Sequence, residues 1–257
     1  MRLRFAPLAT ALAALWVLPA PAAEEVVSGL SEDRIEITAN FSGSDLLVYG
    51  AVKRDAPPPG TGTLEVIITV EGPSSEVLVR RKSRVAGIWV NTDAVNVDSA
   101  PSFYAIATTR PFADIISDTE DLRHSISVPR AIRSVGAPSN ILDSGAFTQA
   151  LIRLRAQKGM YGLFEGSVRL AQETLFRTDI ALPANLVEGV YKTRIFLLRG
   201  KHVVGLDERS IYVRKVGLER WLFTLAHRQP AIYGLLALGL AAFAGWAASA
   251  LFRIIRR

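Results

Sequence analysis

The chain has 257 residues, no cysteine and a formal net charge of +6. The absence of cysteine excludes disulfides and thiol chemistry. Setting aside Arg2, Arg4, Arg253, Arg256 and Arg257 leaves 25 basic against 24 acidic residues, a net of +1. The excess charge therefore sits at the ends, which argues against nucleic acid as a partner, because such a binder carries its basic excess in the folded body.

The first segment, residues 1–22, reads as a signal peptide. Arg2 and Arg4 precede an apolar run from Leu8 to Leu18, and Ala20-Pro21-Ala22 fits a small-x-small cleavage pattern with processing after Ala22. The alternative is an uncleaved N-terminal anchor.

Residues 23–112 read as strands. "RIEITANF" alternates Ile35, Ile37, Ala39 and Phe41; "DLLVYGAVKR", "TLEVIITVEG", "SEVLVRRKSRVAGIWVN" and "SFYAIATTRP" follow, separated by turn-forming Gly, Pro, Ser and Asp. This spacing predicts an Ig-like β-sandwich, with the triple proline at 57–59 as a loop or an edge. Residues 113–160 are a helical connecting segment. Its better helix, "AFTQALIRLRAQKG", places Phe147, Ala150, Leu151 and Leu154 on one face and ends at Gly159. Residues 161–216 return to strands as a second, smaller β-unit, with a hairpin turn at Arg199-Gly200-Lys201. The sequence leaves open whether this unit is a separate domain or half of a shared core.

Residues 217–230 form a juxtamembrane amphipathic helix, with Leu218, Trp221, Leu222 and Leu225 at i, i+3, i+4 and i+7. It lies either in the headgroup region or under the β-unit. Residues 231–252 carry no charge and at 1.5 Å per residue span about 33 Å, enough for the hydrocarbon core. The basic tail, 253–257, favours the cytoplasmic side. The expected topology is single-pass type I, with the β-rich part in the periplasm and the span in a bacterial inner membrane. Within the span, Ala237, Ala241, Gly245 and Ser249 recur every four residues and make a smooth stripe for another helix.

The basic segment "RRKSRVAGIWVN" gathers Arg80, Arg81, Lys82 and Arg84 before Trp89. On a regular strand Arg81 and the other three point to opposite faces. The four form one patch only if the chain turns or bulges near Arg81-Lys82-Ser83, with Gly87 as a further bulge. One reading is a charged hairpin tip above a core Trp89. The other is a contact site for a small anion or a lipid headgroup, since several arginines suit sulfate- or phosphate-like groups.

No catalytic constellation emerges. His124 sits near Asp118, Glu120 and Asp121 without zinc-motif spacing, and the acids lack an EF-hand pattern. "GTG" at 60–62 precedes a strand and is a turn. No cofactor, metal or catalytic residue is expected.

The blocks "RKSRVAGIWVN", "PSFYAIATTRP", "LFRTDIALPANLVEGVYKTRIFLLRG" and "KVGLERWL…AHRQPAIYGLLALGLAAFAGW" together resemble the alphaproteobacterial putative transmembrane protein family. The resemblance covers nearly the whole chain after the leader. It implies a signal peptide, a periplasmic domain and one C-terminal span, and it assigns no activity. It also ranks a sulfite-exporter-like permease first among partners. The function expected is a non-enzymatic, membrane-anchored accessory or interaction subunit of a transport or envelope complex. Its partners are the lipid bilayer and another integral membrane protein or a second copy. A binding module for an anion or lipid headgroup is the alternative, and an unrecognised hydrolase the third reading.

Overall fold

A computed structural model describes residues 24–38, 40–54, 62–136 and 141–255, without the side chains of 218–221, 224 and 250–255. The expected signal peptide, the prolines at 57–59 and Arg256 and Arg257 lie outside the described residues. So do the Leu218 and Trp221 side chains of the expected amphipathic face.

In chain order the first strands are β1 (Glu24–Leu30), β2 (Arg34–Ile37), β3 (Gly43–Arg54), β4 (Leu64–Glu71), β5 (Ser74–Val85), β6 (Ile88–Pro101) and β7 (Tyr104–Thr108). Four helices follow: α1 (Phe112–Ile115), α2 (Asp118–His124), α3 (Val128–Ala131) and α4 (Ser144–Gln157). Then come β8 (Tyr161–Phe164), β9 (Arg169–Ala171), β10 (Leu175–Pro183), β11 (Gly189–Arg199) and β12 (His202–Lys215), and finally α5 (Leu218–Arg228) and α6 (Pro230–Ile255).

Strand β4 shows how these are layered. Every residue from Leu64 to Val70 is buried, and its sequence, LEVIITV, lacks the alternation of a half-exposed strand. A strand buried on both faces must be covered on both. One face of the six-stranded sheet β2-β12-β11-β4-β7-β8 packs on the four-stranded sheet β1-β3-β10-β9. Val48, Phe176 and Ile180 of the smaller sheet share that core with Val66, Ile68, Ile195 and Leu197 of the larger. On the other face Ile67, Ile106, Phe196 and Leu198 share a second core with Ile115, Ile126, Phe147 and Leu151 of the helical segment and with Val79, Val95 and Val97 of β5 and β6. Each buried aliphatic or aromatic side chain contributes about 1.5–3 kcal/mol, so the helices are a third layer of the fold and do more than connect.

The strand pairing decides what the sequence left open. β10 pairs with β3 over Leu175–Pro183, and β11 pairs with β4 over Lys192–Arg199. Residues 23–112 therefore do not close an Ig-like sandwich on themselves. They exchange strands with 161–216, and the two expected units share one core. The mainly β class and the C-terminal apolar helix stand as expected. The turn joining β11 to β12 has positive φ at both Gly200 and Lys201, the geometry that matches strand twist in a two-residue hairpin. On α4, Phe147 and Leu151 are buried but Leu154 is half-exposed, so its apolar face is narrower than expected. The same last turn sends Arg155 to the Pro101 carbonyl. β1, which follows the expected leader directly, went unread as a strand.

At one corner Glu24 of β1 is buried between Arg199 and Arg54. Burial pulls its carboxyl up. Hydrogen bonds and charge from Arg199 and Arg54 pull it further down, leaving it below the ordinary carboxylate range. The same hydrogen bond to Glu24 raises Arg199.

α6 runs 26 residues, about 39 Å. Its segment Pro230–Ser249 has a mean hydropathy of 1.8 and none of it is buried in protein.

Candidate functional site

Joined to the rest of the chain's backbone pairing by an isolated bridge from Ser99 to Arg133, β5 and β6 form a two-stranded ribbon. Their turn is Ala86-Gly87, with φ of 49° and 86°. The strand thus runs straight through Arg80–Arg84, and the turn expected near Arg81-Lys82-Ser83 lies further on. No turn signal precedes Gly87 in the sequence; the expectation is that a single regular strand divides the four cations between two faces and that a turn or bulge near Arg81-Lys82-Ser83 gathers them.

The partner strand supplies the irregularity instead. Arg81 faces Asp93 but Lys82 faces Asn91, so Thr92 is an extra residue in β6, a bulge. Residues directly opposite share a face. Arg80 with Ala94, Lys82 with Asn91 and Arg84 with Trp89 therefore lie on one face. Arg81 with Asp93, Ser83 with Val90 and Val85 with Ile88 lie on the other. Val79 is the last buried residue of β5, and the tip reaches roughly 20 Å beyond it.

Trp89 is 68% exposed on one face of the tip, and Ile88 and Val85 are exposed on the other. This corrects the expectation of a core tryptophan: the second core ends at Val79 and Val95, below the tip.

The four cations divide by role. Arg81 is committed. Its Nη1 reaches Asp143 at 2.5 Å, its Nε reaches Asp93 at 3.0 Å, and its guanidinium lies 4.9 Å from the centre of the Phe147 ring. The hydrogen bond it donates to Asp143, then that to Asp93, holds its pKa above the usual value. Arg81 thereby ties the ribbon to the start of α4, a role that needed the fold to be seen. Among the described residues Arg84 donates only to the Gly87 carbonyl, at 3.3 Å. Arg80 and Lys82 make no hydrogen bond or ion pair among the described residues. Arg80, Arg81 and Arg153 line an open cleft of about 450 Å³ between β5 and α4; Arg153 was not singled out in the sequence.

The acidic cluster near His124 is used within the fold. Asp121 accepts from Ile126 N at 3.2 Å, Ser127 N at 2.6 Å and Ser127 Oγ at 2.7 Å, closing the end of α2. Glu120 is buried and meets Arg123 at 2.5 Å, His124 Nε2 at 3.5 Å and His202 Nδ1 at 3.8 Å. Among the described residues no group of three or more His, Asp or Glu is placed to hold a metal. On α6, Ala237, Ala241, Gly245 and Ser249 are all exposed, and a Cβ added at Gly245 would meet no atom within 4 Å.

No curated protein matches the chain. Among solved structures, the sporulation control protein Spo0M from Bacillus subtilis is 11% identical, over 80% of this chain and 55% of that one, with a TM-score of 0.26. The chain thus spans about half the length of that protein, and a likeness this low carries no argument. The family model described as "Putative transmembrane protein (Alph_Pro_TM)" matches residues 25–254, from β1 through α6, and the chain belongs to that family of membrane-anchored proteins.

Proposed function

We propose that the chain is a non-enzymatic interaction subunit, held in the bacterial inner membrane by α6, with its β-rich body in the periplasm and the tail at 253–257 in the cytoplasm. The observation that carries this reading is the ribbon. A two-stranded hairpin is marginal alone, yet this one extends past its core and presents Trp89, Ile88 and Val85 to solvent. Exposed aromatic and aliphatic groups, here Trp89 on one face of the tip and Ile88 and Val85 on the other, are what partner interfaces use. The partner is an integral membrane protein, a permease foremost, or a second copy, and the stripe Ala237, Ala241, Gly245 and Ser249 offers the close helix contact within the bilayer.

A second reading has its own support. Arg80, Lys82 and Arg84 share a face with Trp89 and have no acidic partner among the described residues, which suits an anionic lipid headgroup or small oxyanion.

One experiment separates the two. A photo-reactive amino acid at Asn91, exposed opposite Lys82 on the face of Trp89, is irradiated in native membranes in the full chain. A protein adduct of defined mass, weakened by replacing Arg80, Lys82 and Arg84 with alanine, is expected. Adducts to lipid alone would hand the site to the second reading, and no adduct of either kind would sink the interaction reading.

A further inference from the structure

The outer face of the four-stranded sheet is a broad sheet face left without cover among the described residues. Register fixes what it displays. One cross-strand row runs Gly29, Tyr49, Arg177, Arg169. The next row, roughly 6.5 Å along the strands, runs Val27, Ala51, Leu175, Ala171. Val27, Tyr49 and Leu175 are exposed. Gly29 contributes no side chain, and the Tyr49 ring occupies the space: a Cβ at Gly29 would sit 2.8 Å from Tyr49 Cζ. With alanine at two positions of the second row, the face is a trough and not a ridge. It forms an open cleft of about 770 Å³, the size that holds one drug-sized molecule.

Arg169 and Arg177 stand directly opposite one another at its side. Like charges in that position destabilise a sheet. Neither has an ion pair or hydrogen bond among the described residues. The nearest acid on the same face of the strand, Asp179, is two residues along β10 and forms no ion pair with either. Glu173, in the adjoining turn, is turned to Arg54 and Arg199. Two unopposed guanidinium groups beside an apolar trough match a molecule with an oxyanion at one end and a hydrocarbon body at the other, because a carboxylate accepts in pairs from arginine.

We infer that this cleft binds a soluble single-chain amphiphile with a carboxylate head, the head between Arg169 and Arg177 and the chain along Val27, Ala51 and Leu175. The volume is that of one chain and not of a two-chain membrane lipid. The inference is independent of the ribbon.

The test is equilibrium dialysis of radiolabelled octanoate against the full chain in phosphatidylcholine nanodiscs, with empty discs as the blank. Saturable binding of one octanoate per chain is expected. Arg169→Ala/Arg177→Ala should weaken it at least tenfold, and Ala51→Trp, which fills the trough, should abolish it. Octanol should bind at least tenfold more weakly than octanoate. The arginine double variant removes a repulsion, so without ligand its unfolding midpoint should equal or exceed that of the parent. That measurement also shows that lost binding is not lost folding. No saturable binding above empty discs, octanoate binding unaltered in the double variant, or octanol binding equal to octanoate would each overturn the inference. Displacement of octanoate by discs containing anionic phosphatidylglycerol would overturn it in favour of a bilayer lipid.

Discussion

Arg199→Met tests how the corner between the two sheets is held. Arg199 Nε and Nη2 meet the two oxygens of Glu24 at 3.0 and 2.9 Å, and Arg54 Nε adds a third contact at 2.8 Å. The Arg199 and Glu24 side chains are 7% and 3% exposed. Breaking a buried pair by removing one partner costs about 3–5 kcal/mol, because the other charge is left without compensation. Here Arg54 remains, and the pair opens towards half-exposed Glu173, so the low end applies. The expected loss is about 3 kcal/mol, roughly 150-fold in the folding equilibrium.

The pH dependence has a definite sign. Glu24 is held below the ordinary carboxylate range in the folded chain. Such a group contributes stability that is present above its unfolded pKa and is lost as pH falls through the folded value. The penalty of Arg199→Met should therefore be full at pH 7 and shrink below about pH 4. Urea unfolding of the full chain in micelles, followed by far-UV circular dichroism at both ends of that range, measures it. A loss under about 1 kcal/mol at neutral pH, or the same loss at pH 3 as at pH 7, would refute the account of the corner.

Other perturbations probe the ribbon and the span. Val97→Ala, at a fully buried position, should cost about 2 kcal/mol in urea unfolding, from two lost carbons plus the cavity they leave. Arg81→Ala should release the ribbon from α4 and speed amide hydrogen exchange across 82–92; unchanged exchange would show that the ties to Asp93 and Asp143 do not hold it. Ala86 sits in the left-handed region, which costs a residue with a Cβ roughly 1–2 kcal/mol. Ala86→Asn should recover about 1 kcal/mol of that in local opening, since Asn-Gly is the favoured pair for this turn. Ala241→Leu/Gly245→Leu should weaken association in the membrane without changing export, and undiminished co-purification would remove the stripe from the contact.

What could be read from the sequence depended on whether the signal was local. The apolar run of α6 and the alternation of LFRTDIALP, with Phe176, Thr178, Ile180 and Leu182 buried, needed no knowledge of distant residues. The run VIITV likewise announced a strand; that both its faces are covered is seen in the burial of every residue from Leu64 to Val70. What covers them was not legible, because β4 finds β11 more than a hundred residues away. The same limit hid the corner. Glu24 and Arg199 are 175 positions apart, and nothing near either marks them as a pair. Trp89 failed for a different reason: a tryptophan in an apolar run is usually core, and only the length of the ribbon beyond Val79 puts this one in water.

The near-neutral charge of the body argues against a large basic excess, but it leaves room for local anion sites, and the fold shows why. Charges are sorted by what faces them. Arg54, Arg81, Arg123 and Arg199 each meet a carboxylate and serve the architecture. Arg80 and Lys82 on the ribbon, and Arg169 and Arg177 on the sheet, meet none among the described residues. Strand parity in a single strand distinguishes Arg81 from its neighbours, yet it cannot say which of the two faces will be the free one. That depends on the partner strand, where Val95 and Asp93 stand opposite Val79 and Arg81. The buried valines turn that side of the ribbon towards the core. Arg81 follows them to Asp143 and Phe147 on α4, and the three remaining cations are left outward with Trp89. A straight strand, which in the sequence argued against a contact surface, is the geometry that produces one.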